Sequence, residues 1–365
     1  MAIESLSLPH AASASSDRHA LGWRLLIAGG LVLVIAALVS VSVGPTGLTL
    51  SDLPRALLAA YSGSGAPADV HARLVLLEVR LPRTILAAFV GASLAVAGAM
   101  MQGLFRNPLA DPGLIGVSSG AALAAVATIA LGSSFAGPWV RALGIWALPA
   151  AAFFGGFVTT MVLMLIARRH GTTAIATLLL AGIALGAIAG ALTGLLAYVT
   201  DDRELRDLTL WSMGSLAGAS WQKVLAITPF ALVLLLMTPR LIRALNGLLL
   251  GEAEAFYLGI EVESAKLRIV TLTAAAVGAA VAVAGTIGFV GIVVPHLVRL
   301  IAGPDHRIVL PASALLGAVL VVVADVAARM IVAPAELPIG IIMAVIGAPV
   351  FLHLVIRRGG ALSAP

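Results

Sequence analysis

The residues able to do chemistry in this chain are few. Its 365 residues include 17 Asp or Glu, 22 Lys or Arg, seven His and no Cys. Without Cys there are no disulfides, thiolate metal sites or cysteine-bound iron–sulfur clusters. The two lysines are Lys223 in "SWQKV" and Lys266 in "SAKLR". Neither stands in the GxxxxGK-Ser/Thr loop whose backbone amides cradle nucleotide phosphates, so the chain does not itself hydrolyse ATP. A proton relay would need ionisable groups at membrane depth, and Asp325, His296 and His353 are the candidates. His296 and Asp325 lie near the ends of apolar runs, where water or backbone satisfies them equally well. What remains is recognition.

Residues 246–263 read "NGLLLGEAEAFYLGIEVE". Gly251 and Gly259 bracket a short segment with Glu252 and Glu254 on its polar side and the aromatic pair Phe256–Tyr257 beside them. Leu248–Leu250 and the aromatic pair could fill an apolar groove while the acids face solvent or basic residues, the chemistry of a helix docking on a soluble protein. A helix lying flat on lipid would instead carry Lys and Arg on its polar face.

The elements around these residues are membrane spans. Mean hydropathy is +1.10 and only 11% of residues are charged, against about 25% in a soluble domain. Uncharged runs cover 25–43, 84–105, 112–140, 142–167, 170–200, 224–239, 269–298, 308–324 and 337–356. A hydrocarbon core of ~30 Å needs ~20 helical residues, and 269–298, with "AGTIGF" inside it, reads as two spans joined by a tight break. The total is about ten. The runs are too long and too uniformly apolar for barrel strands, so the fold class is an all-α polytopic bundle. Residues 1–20 are polar and read as a disordered arm, and residues 21–358 as one transmembrane domain. The first span lacks a small-residue cleavage site, which argues against a cleaved leader. The net charge of +5 and pI near 10.4 reflect basic cytoplasmic loops rather than nucleic-acid binding. With ten spans and both termini in the cytoplasm, 13 of the 22 basic residues fall inside.

Two patterns bear on what such a bundle does. "AAFVGASLAVAG" at 87–98 returns as "AAAVGAAVAVAG" at 274–285, identical at 9 of 12 positions. Five crossings separate the copies, so they run in opposite directions, as inverted repeats of transporters do. Gly182, Gly186, Gly190 and Gly194 recur every four residues and share one helix face. Such a face is a packing seam or a smooth wall for a pathway, and the two readings are compatible.

The chain resembles the permease subunits of ABC importers for iron–siderophores, cobalamin and haem. The likeness runs from about Leu74 to Arg357 and rests on "LEVRLPRTILAAFVGASLAVAGAMMQGLFRNPLADPGLIGVSSGAA" (77–122), "GEAEAFYLGI" (251–260), "GFVGIVVPHLVRL" (288–300), "PDHR" (304–307) and "APAELPIGI" (333–341). The resemblance implies a ten-helix type II ABC importer permease in a bacterial inner membrane, forming a homodimer around a central pathway. It implies two ATPase subunits below, which bind ATP and Mg, and a periplasmic binding protein above. Segment 251–260 would be the coupling helix on the ATPase, although Gly259 falls five residues after Glu254 where the wider importer pattern has six. Arg80 and Arg83 in "RLPR" and Arg329 in "ADVAAR" match the arginines that meet the binding protein. "TDDRELRDLTLWSMGSL" (200–216) and "LADPGLIGVSSGAALA" (109–124) look most like the haem permeases, with haem as transported substrate. Iron–siderophore, then cobalamin, are the alternatives within the family, and a proton-coupled secondary transporter the alternative outside it.

Overall fold

The computed structural model describes residues 10–44, 48, 50–62, 67–132, 137–169 and 172–362. Among these, fifteen α-helices run in the order α1 (His10–Ser42), α2 (Leu53–Ser62), α3 (Pro67–Arg73), α4 (Leu81–Leu104), α5 (Val117–Ala130), α6 (Gly137–Leu143), α7 (Ala147–Ala167), α8 (Ile175–Val199), α9 (Asp202–Ser212), α10 (Trp221–Leu250), α11 (Glu252–Tyr257), α12 (Val262–Ala284), α13 (Val290–Ala302), α14 (His306–Met330) and α15 (Ile339–Leu362). One two-residue hairpin, β1 (Arg168–Arg169) with β2 (Thr172–Thr173), turns the chain between α7 and α8.

Seven helical stretches are long and apolar enough to cross a membrane, and α5, α13 and α15 are shorter apolar helices that complete the ten. The break expected inside 269–298 is present: α12 ends at Ala284, and Gly285 (φ +70°) and Phe289 (φ +68°) turn the chain before α13. The expected disorder of residues 1–20 holds less well. Residues 1–9 lie outside the described residues, but His10–Ala20 continues α1, because after Pro9 the stretch is rich in Ala and has no helix breaker. The run 112–140 also yields less helix than its length suggests. Pro112–Ile115 forms a 3-10 turn and Gly116 adopts φ +76°, so α5 keeps 14 residues, about 21 Å at 1.5 Å per residue.

Helix contacts carry an inverted repeat beyond the twelve matched residues. The second span, α4, packs on the ninth, α14; the seventh, α12, packs on the fourth, α7. These pairs exchange when each span is replaced by the one five places away. The contacts α5–α7 and α13–α14, α5–α8 and α13–α15, and α7–α8 and α14–α15 exchange likewise, and α4–α12 maps onto itself. The short third and eighth spans, α5 and α13, are therefore counterparts. The first helix of each half departs from the pattern: α1 lies on α14, whereas α10 lies on α4 and α12.

At the centre, backbones meet. A Cβ on Gly91 would overlap the Gly317 carbonyl, and one on Gly98 would overlap Gly291. Only glycine lets α4 come this close to α14 and α13, the small-residue logic of membrane packing. Around these seams one apolar core collects Leu86, Val90, Met100, Leu163, Leu178, Ile227, Ile269, Val294, Val321 and Met343.

Candidate coupling and docking sites

One end of the bundle carries α11. Gly251 takes φ +143°, a backbone conformation that residues with a Cβ rarely adopt, and lies against the Glu254 carboxylate. The helix closes on Gly259 at φ +75°: the Gly259 amide donates to the Phe256 carbonyl (2.9 Å) and the Ile260 amide to Ala255 (3.0 Å). This is the paired-bond stop that a left-handed glycine allows. Arg243 of α10 donates to the Leu258 carbonyl at 3.0 Å and holds the same end. The result buries Ala255 and presents Phe256 (70% exposed) and Tyr257 (86% exposed), ring centroids 6.1 Å apart. An aromatic pair held outward on a capped helix is what docking requires. Beside it a groove of about 480 Å³ is lined by Ile242, Asn246, Leu250, Leu258, Ile260 and Arg307.

Beneath α11 lies Lys266, which entered the sequence reading only as a lysine outside a nucleotide loop. It is 2% exposed, and its ammonium donates to Glu252 (2.7 Å), Glu263 (2.9 Å) and the Thr173 carbonyl (3.0 Å). All three donors are used. Glu263 also accepts the Thr173 amide at 2.8 Å. Helix α11, the start of α12 and the β-hairpin that feeds α8 are thus tied at one ammonium. Glu252 therefore faces inward to a basic residue. A second cluster at this end joins Asn246 to Asp305 (2.7 Å) and His306 (2.8 Å), and Arg299 bonds Gln102 and the Ala99 carbonyl.

The opposite end holds the three arginines, and here the expectation is corrected. Arg80, Arg83 and Arg329 are 3%, 5% and 5% exposed and offer no basic surface. Arg83 pairs with Asp325 (2.9 Å) and Glu336 (2.8 Å), and Arg329 pairs with Asp325 (3.1 Å). Arg329 also donates to the Ser40 hydroxyl (3.0 Å) and the Val43 carbonyl (3.1 Å). Arg80 donates to the carbonyls of Val41, Ser42 and Leu48. Guanidinium groups have five donors each, and here they close the exposed carbonyls at the end of α1 and neutralise two acids. Asp325 followed four residues later by Arg329 is a legible helical pair. Glu336, 253 residues from its partner, is not. The proton-relay candidates do not meet: Asp325 sits in this cluster, His296 is buried on α13, and His353 is exposed on α15.

The glycine stripe divides. Gly182 packs against the Leu114 carbonyl and a Cβ on Gly186 would sit 3.8 Å from the Ser119 hydroxyl, whereas Gly190 and Gly194 face open space. The seam reading holds for the first half of α8, and the second half presents a smooth face beside exposed Leu192, Leu195 and Tyr198.

A family model described as the FecCD transport family matches residues 32–357. The chain belongs to this family. It is 45% identical over 329 residues to the hemin transport system permease protein of Yersinia pestis, covering 90% of this chain and 94% of that one. It is 40% identical to the cobalamin import system permease protein of Halobacterium salinarum, over 94% and 98% of the two chains. The vitamin B12 import system permease protein of Escherichia coli O139:H28 is 43% identical over 77% and 83%. A solved metal-chelate type ABC transporter in an inward-facing conformation superposes with a TM-score of 0.77 at 33% identity, covering 92% of this chain and 99% of that one. As a FecCD-family chain this is a multi-span permease subunit of an ABC importer and not an enzyme. Hydrolysis belongs to a separate ATPase chain.

Proposed function

We propose that this permease imports haem across the bacterial inner membrane, as a homodimer served by two ATPase subunits and a periplasmic haem-binding protein. The observation that carries the cargo is the 45% identity to the hemin permease over nine-tenths of the chain, against 40–43% for the cobalamin permeases named above. The two segments most like haem permeases also adjoin in the fold, since α9 packs against α5. In this reading α11 seats Phe256 and Tyr257 in an apolar groove of the ATPase, and the N- and C-termini lie in the cytoplasm. ATP and Mg bind the partner, and haem is cargo rather than a cofactor of this chain. The half-open stripe at Gly190 and Gly194 faces the pathway between the two copies.

The arginine cluster keeps a role in docking, but an indirect one. It shapes the end of α1, α4 and α14 on which the binding protein sits, and exposed side chains around it make the contact. The test is ATPase activity in proteoliposomes holding the permease and its ATPase, challenged with binding proteins loaded with haem, a ferric siderophore or cobalamin. Stimulation by haem-loaded protein alone supports the proposal. Stimulation by a siderophore- or cobalamin-loaded protein, with haem silent, assigns the cargo otherwise, as the cobalamin relatives would suggest.

A further inference from the structure

At the arginine end, between α7, α10 and α12, two cavities adjoin. The first, about 300 Å³, is walled by Trp146, Phe153, Phe154 and Phe230 and is almost entirely apolar. The second, about 360 Å³, holds Trp211, Ser215, Gly218 and Lys223. Pro149, Ala282 and Val283 belong to both walls, so the apolar slot runs into a space with a cation.

Both cavities lie at one level of the bundle. The Trp221 indole at the start of α10 donates to the Leu77 carbonyl beside Arg80 (3.1 Å), and the Ser215 amide donates to Ala284 at the end of α12 (2.8 Å). Trp146, Trp211 and Trp221 therefore share the end where their helices leave the membrane, the position in which tryptophans mark the lipid interface. The apolar slot opens sideways rather than inward: Phe154 is 61% exposed, and on the neighbouring helix so is Leu225, at 69%.

Lys223 is the unusual member. It is half-buried, and among the described residues no acid or carbonyl takes its ammonium. Elsewhere in this chain the buried cations Arg83, Arg329 and Lys266 each meet a carboxylate, and Arg80 meets three carbonyls. The position of Gly218 keeps the space in front of Lys223 clear, because a Cβ there would come within 3.2 Å of the ammonium. A cation set back from bulk water and left without a carboxylate calls for an anion from outside.

We propose that this paired cavity binds an anionic glycerophospholipid of the surrounding leaflet, one acyl chain in the aromatic slot and the phosphate on Lys223. The charge fixes the headgroup and the slot fixes the chain, so neither a free phosphate nor a neutral lipid satisfies both halves. The site is independent of the haem assignment, because it faces lipid between three helices of one copy.

The test uses the full-length permease in lipid nanodiscs. Phosphatidylglycerol bearing a photoreactive acyl chain is cross-linked to wild type, and the adducts are mapped. Adducts on 146–154 and 226–230 support the site; adducts scattered over α1 and α8 overturn it. Native mass spectrometry then counts retained phosphatidylglycerol against phosphatidylcholine of the same chains. Lys223→Gln is expected to weaken phosphatidylglycerol retention by about tenfold, the loss of one charge-assisted hydrogen bond, with phosphatidylcholine unchanged. Equal retention of both lipids by wild type and Lys223→Gln overturns the headgroup assignment. Competition by soluble glycerophosphate as strong as by the lipid would make the site one for a free anion, and would equally overturn the proposal. Because cross-linking is read on wild type, the outcome does not depend on any variant folding.

Discussion

A single lysine and a single arginine show how much this apolar chain invests in burying charge. Lys266 has three acceptors in three elements, and the two glutamates are only partly exposed. Lys266→Met strands those acceptors and is expected to cost about 1–3 kcal/mol. The detergent-solubilised protein should show this as a lower unfolding temperature, with Glu252→Gln milder because Glu263 remains. If the Lys266→Met protein unfolds at the wild-type temperature, the tie is ornamental. Arg83 is a harsher case, since it sits between Asp325 and Glu336 at 5% exposure. Removing one partner of a buried ion pair costs about 3–5 kcal/mol, so Arg83→Ala should reduce the yield of monodisperse protein before any docking rate is measured. A well-folded Arg83→Ala permease whose only defect is slower association with the binding protein, with a weaker salt dependence than wild type, would restore the surface role expected from sequence. That expectation rested on the match of "RLPR" and "ADVAAR" to the permease arginines of the family the chain resembles. Sequence shows the charge there, but the acid that covers it arrives from a loop 253 positions away, and no local pattern announces a pair of that separation.

Helices were far more legible than charges. Hydrophobic length marked ten spans, and the break after Ala284 was visible because the run 269–298 is long enough for two spans and holds "AGTIGF" near its middle. The shortness of α5 was not visible, since Pro112, Gly113 and Gly116 sit in sequence as apolar as the helix that follows. Helix α11 was legible in outline from its paired glycines and acids, though its anchoring through Lys266 was not. Its exposed face makes a clean experiment. Phe256→Asp alters a side chain that is 70% exposed, so the permease should fold normally. A carboxylate forced into an apolar groove costs several kcal/mol, so ATPase co-purification should be lost; retention at the wild-type level would remove α11 from the interface. Along α8 the two halves of the stripe should respond differently. Gly182→Leu drives a side chain into the Leu114 carbonyl and should lower folded yield, whereas Gly190→Leu has room. The latter should fold and arrest substrate uptake; normal uptake would place that face toward lipid.

Taken whole, the molecule is two inverted halves that share a buried axis and differ at their first helices. The matched sequence of the repeat lies in α4 and α12, the pair whose mutual contact maps onto itself. Repeated surfaces must be alike where α4 and α12 meet the core, and not where α1 and α10 meet different neighbours. The most buried span window belongs to the stretch ending in α4, at 83%, while the window on α8 is 17% buried. Amide hydrogen exchange should follow that gradient, slowest through 87–101 and faster along α8; uniform protection would contradict it. The backbone seams at Gly91–Gly317 and Gly98–Gly291 add something mechanical. Two rods touching backbone to backbone have no side-chain layer to shear, so α4 has no slack along its length. Its seams leave no tolerance: a single methyl group at Gly98 would meet the Gly291 carbonyl and wedge α13 away from α4.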